Sequence, residues 1–167
     1  MNAAHLHLMV NHLPLFAALF AGALIAVGLW QAREALTDAG LVLAVVAAIG
    51  AFTAAQTGER AEEIVEGLPA VAEATIESHE EAAEAAVFTT ILLGALALTA
   101  LALPARMVRT KRVATLGSLV LAVVAFGLVG RTANLGGMIR HTEISNVAQG
   151  ASDAGTEAPC ATFEISV

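Results

Sequence analysis

LPLFAALFAGALIAVGLW, residues Leu13 to Trp30, carries no charged side chain over eighteen positions. Hydrocarbon about 30 Å thick is crossed by roughly 20 apolar helical residues, so this stretch reads as a membrane span. Three more runs have the same character: Leu41 to Ala55, Ala85 to Leu103 and Val113 to Val129. The second is short unless Gln56 and Thr57 extend it. The chain as a whole is 57% hydrophobic and 14% charged, with a mean hydropathy of +0.76. A soluble bundle of buried helices is the rival reading, but these runs lack the polar faces that helices need in water. The expected fold is all-α, an antiparallel bundle of four transmembrane helices.

Orientation follows from the cations. Arg33 lies after the first run, and Arg106, Arg109, Lys111 and Arg112 lie after the third, so five of the eight Lys and Arg residues fall in two short links. Short cation-rich loops stay in the cytoplasm. The expectation is a multi-pass protein of a bacterial inner membrane with both termini outside. No Lys or Arg precedes Arg33, whereas a cleaved secretory signal opens on a basic region. The first run is therefore read as a retained helix. Cys160 is the only cysteine, which excludes an internal disulfide.

Two pieces are expected along the chain: a membrane domain over 1–144 and a polar extracytoplasmic tail over 145–167. Short links, Gln31 to Gly40 and Pro104 to Lys111, join the first helix to the second and the third to the fourth. The middle connection, Gly58 to Glu84, is rich in Ala, Glu, Val and Ile, which favours helix. It is read as an amphipathic helical connection on the outer face. Gly67-Leu68-Pro69 should divide it into a short helix near Glu59 to Glu66 and a second helix that runs on into the third span.

All five histidines are then expected at one end of the bundle. His5, His7 and His12 precede the first span, His79 precedes the third and His141 follows the fourth. At 100° per residue, His79 shares a helix face with Thr75, Ile76, Ala83, Ala86 and Thr90, whereas Glu77, Glu80, Glu81 and Glu84 lie opposite. An imidazole placed for solubility would sit among the glutamates. A histidine hydrogen-bonded to a neighbouring helix would share this placement, as would a ligand. His141 would share its face with Gly127, Gly130, Asn134, Gly137 and Met138. That stripe suits close helix packing, or a smooth wall for a macrocycle. His12 stands at the head of the first helix behind Asn11, a suitable N-cap, while the geometry of His5 and His7 stays open.

These placements point first to haem b, held by neutral imidazoles from two helices. His12 with His79 is the first pair, and His141 and His7 are alternatives or a second pair. Arg140 or Arg131 would hold the propionates bidentately. Electron transfer near the outer face would follow, with a quinone or a soluble cytochrome as redox partner. A second reading is a non-haem Cu, Zn or Fe site built from the same histidines with Glu59 or Glu62. A third is a cofactor-free accessory subunit of a larger membrane protein complex. An electron-transfer or accessory role is favoured over a stand-alone enzyme. No nucleophile triad, phosphate loop or zinc-protease motif is present, and a net charge of −7 does not suit nucleic acid.

His7-x4-His12-Leu13-Pro14-Leu15 resembles the H-x4-H-F-P-I opening of a bacterial family of four-span membrane proteins of unknown function. Thr57-Gly58-Glu59, His79 and Gly136-Gly137-Met138-Ile139-Arg140-His141 fit the same pattern, and Leu13 departs from its usual Phe. The resemblance covers roughly 5–143. It implies a four-helix membrane bundle in which the recurrent histidines are ligands or structurally special. Four-helix b-type cytochromes are similar in architecture only.

Overall fold

The computed structural model describes residues 2–65 and 73–140. Its elements are α1 (Ala3–Val10), α2 (His12–Trp30), α3 (Glu34–Val65), α4 (Glu73–Ala102) and α5 (Val108–Arg140). The described residues form no strand. The stretches Ala3–Trp30, Glu34–Glu62, Ala74–Ala102 and Val108–Ile139 are each long and apolar enough to cross a membrane, with mean hydropathies of 2.1 to 2.3. The protein is an all-α, multi-pass, four-helix bundle. α2 packs on α3, α3 on α4, α4 on α5 and α5 back on α2, while α3 and α5 face each other across the diagonal.

The bundle is built with small side chains inside and large ones outside. Ala17, Ala18, Ala21 and Ile25 of α2 meet Leu41, Ala44 and Ala47 of α3, Leu93 and Ala97 of α4, and Ala122 and Ala125 of α5 in one buried cluster. Phe16, Phe20, Ile49, Phe52, Phe88 and Val120 lie exposed around it. In lipid the exposure of large apolar side chains costs nothing, and close packing of small ones drives association. The buried hydroxyls are satisfied locally: Thr90 donates to the Ala86 carbonyl at 2.6 Å and Ser118 to Ala114 at 2.9 Å. Neither leaves an unpaired polar group in the core.

Several boundaries differ from expectation. The link after α2 is only 31–33, because the turn reverses at once. The Arg33 N–H donates back to the Gly28 carbonyl at 2.9 Å, the longer bond of a Schellman cap. Glu34 in the first turn of α3 then complements the helix dipole. The residue in the left-handed position of that cap is Ala32, at φ 52°. A Cβ is unfavourable there, so Ala32→Gly is expected to stabilise the protein by roughly 0.5–1 kcal/mol. Reversible unfolding in mixed micelles would register the gain; a loss of stability would contradict it.

α3 is also longer than expected. It runs without a break through Gly58 to Val65, so the separate short helix expected near Glu59 is part of α3. With 32 residues it is about 48 Å long, well beyond the hydrocarbon. α4 likewise runs unbroken from Glu73 into its apolar part, as expected. In α3, α4 and α5 most of the excess beyond the apolar runs falls at one end, which carries His7 and His79. At the other end Lys111 pairs with Asp38 at 3.6 Å. The break expected at Gly67-Leu68-Pro69, the tail and His141 lie outside the described residues.

Candidate functional site

The first helix begins earlier than its sequence suggests, and this creates the site. Asn2 is the cap, its side chain accepting from the His5 N–H at 2.9 Å. Asn11, expected to cap, is itself in helical conformation and makes no side-chain cap bond. Its N–H continues the ladder to the His7 carbonyl at 2.9 Å. Pro14 lacks an N–H and cannot bond the Val10 carbonyl, which accounts for the separation of α1 from α2. Beyond this point α1 packs chiefly on α3 and little on α2. His7 is therefore a helical residue facing α3.

His7 is half-buried. Its Nδ1 lies 3.0 Å from the Ala54 carbonyl and 3.3 Å from Thr57 Oγ1. A carbonyl only accepts, so Nδ1 carries the proton and the neutral ring keeps its lone pair on Nε2. Thr57 Oγ1 spends its own proton on the Thr53 or Ala54 carbonyl, at 2.9 and 3.0 Å. It can only accept from His7, which fixes the same tautomer. Gly58 completes the seat: a Cβ there would lie 3.3 Å from His7 Cε1.

His79 repeats this arrangement on the other side of the bundle. It faces inward with Ile76, Ala82 and Ala86, while Glu77, Glu80, Glu81 and Glu84 are exposed, as its helical face predicts. Its Nδ1 lies 3.0 Å from the Thr132 carbonyl of α5. The ring lies against Gly136, where a Cβ would come within 2.9 Å of Cε1. Again Nδ1 is the donor and Nε2 is left bare.

The remaining candidates are placed as follows. His12 and His5 are exposed, and helical geometry puts both on the face of the helix opposite His7. Arg131 is exposed beside Thr132. The Arg140 backbone ends α5. Glu59 is exposed and Glu62 half-buried. Of the glycine stripe on α5, Gly127 and Gly137 have open space beside them, and Gly130 meets only Leu15 at 3.9 Å. No residue from Leu135 to Ile139 is fully buried. Beside His7, a groove of about 390 Å³ is lined by Asn2, Ala3, Leu6, Thr57 and Arg60. Asn11 Oδ1, one turn beyond His7, is buried with no hydrogen-bond partner.

Sequence reading singled out neither Thr57 nor Arg60 as part of a site. Thr57-Gly58 was visible only as a motif. The chain matches no protein-family model, no curated protein and no solved structure. Of what the resemblance to a four-span family implied, the structure carries the four membrane-length helices.

Proposed function

We propose that this membrane protein binds haem b through Nε2 of His7 and Nε2 of His79 and transfers electrons at the histidine end of its bundle. The observation that supports this most is the shared anchoring of the two rings. Each gives its Nδ1 proton to a main-chain carbonyl of a different helix, Ala54 on α3 and Thr132 on α5. Ligating histidines are oriented in this way, with the second nitrogen hydrogen-bonded so that the first is free and more basic. Gly58 and Gly136 leave room for the two rings, and Asn11 Oδ1, one turn beyond His7, is an unpaired acceptor. Among the described residues no three His, Cys, Asp or Glu side chains converge. A group that needs only two protein ligands suits this donor set better than a metal held by the protein alone.

Haem b supplies one-electron redox chemistry when bound. The chain supplies two fixed neutral imidazoles, cationic carboxylate partners in Arg131 or Arg140, and an apolar bundle that tunes the potential by burial. Arg60, in the groove beside Thr57, is a further carboxylate partner. We place the basic links in the bacterial cytoplasm and the histidine end outside, where a quinone or a soluble cytochrome would exchange electrons. The purified protein titrated with haem should give a Soret band that sharpens on reduction by dithionite, at one haem per chain. A sample that takes up no haem above a helical control peptide would overturn the reading.

A further inference from the structure

The helical stretch from α1 into the start of α2 has a second face with chemistry of its own. Ala3, His7, Val10 and Asn11 turn toward α3 and are half-buried. On the opposite face His5, Met9 and His12 follow one another at i, i+4 and i+7, and all three are exposed, Met9 by 62%. At 100° per residue they fall within one narrow arc. The backbone is regular across them, since Asn11 is helical and bonded to the His7 carbonyl, and Pro14 comes only afterwards. Side chains one turn apart have their Cβ atoms about 5–6 Å from each other; His5 and His12 are about 10.5 Å apart along the axis, and Met9 lies one turn from each, so the two imidazoles can reach toward one ion beside the thioether. One turn further the same face carries Phe16, the residue type expected toward lipid.

The donor set is selective. No carboxylate occurs before Glu34, which leaves nothing on this face for calcium or magnesium. A thioether is a soft ligand and imidazole suits copper, so the combination favours the monovalent ion. We propose that His5, Met9 and His12 form an exposed Cu(I) site at the mouth of the bundle. It is separate from the His7–His79 pair: His7 lies on the opposite face of this helical stretch and His79 lies on α4. Its exposure allows the ion to be taken up and passed on without opening the bundle.

The test uses the full chain in lipid nanodiscs, carrying Cys160→Ser to remove the one thiol. Cu(I) is titrated anaerobically against bicinchoninate. A single tight equivalent is expected. Loss of an outer-shell partner alone weakens metal sites by about 10- to 100-fold, so Met9→Leu, His5→Ala and His12→Ala should each weaken binding by at least tenfold. X-ray absorption of the loaded protein should show a sulfur neighbour that vanishes in Met9→Leu. His79→Ala should leave Cu(I) binding unchanged, which separates this site from the proposed haem pair. Unchanged affinity in Met9→Leu, loss of binding in His79→Ala, or no competition with bicinchoninate would each overturn the proposal.

Discussion

His79→Ala is expected to abolish the low-spin haem spectrum while leaving the bundle folded. The ring contributes the only bare nitrogen of its pair on α4, and nothing adjacent can replace it, since Glu77, Glu80, Glu81 and Glu84 face away. Haem affinity should fall by more than the roughly 10- to 100-fold that an outer-shell change costs. Any haem retained should be high-spin, and added imidazole should restore the low-spin form by entering the vacated space. The fold should survive, because the Thr132 carbonyl lies within the helical ladder of α5 and loses only a second donor. His7→Ala should behave alike. A spectrum identical to wild type in either variant would remove that histidine as a ligand. Loss of helical circular dichroism would show that the ring is a packing element.

Gly40→Val should be strongly destabilising in the membrane part. A Cβ at position 40 would lie 2.7 Å from Ile25 Cγ1, 2.8 Å from the Ile25 nitrogen and 2.9 Å from the Ala21 carbonyl oxygen. Two of these are backbone atoms and cannot swing aside. α2 and α3 would have to separate, and the same interface already relies on Gly28 lying against Thr37. Overpacking of this kind costs about 3 kcal/mol or more. Gly127→Ala is the matched control. Nothing lies within 4 Å of a Cβ there, so the substitution should stabilise the helix by up to about 1 kcal/mol through propensity alone. Unfolding in mixed micelles should rank the two variants on opposite sides of wild type. Equal stability of Gly40→Val and wild type would mean that the helices are not packed this closely.

The inward face of His79 was legible because a long regular helix converts spacing into direction, and the glutamates mark the other side. The helical placement of His7 was not legible. Pro14 and the apparent cap at Asn11 made residues 2–11 look like a lead-in, when Asn2 caps the helix and Asn11 belongs to it. The two prolines also mattered differently. Pro104 ends α4 as a missing donor should, whereas Pro14 only diverts the chain. Likewise Gly58 suggested a helix end, yet it sits inside α3 because its bare backbone accommodates an imidazole.

What sequence alone determined was the number of membrane-length helices and the placing of His7 and His79 at the same end of the bundle. Both follow from hydropathy and parity, which are properties of order along a chain. Which carbonyls hold His7 and His79, and which nitrogen each ring leaves free, only tertiary structure decided. Those depend on carbonyls of Ala54 and Thr132, groups present at every residue and therefore invisible in any pattern of side chains.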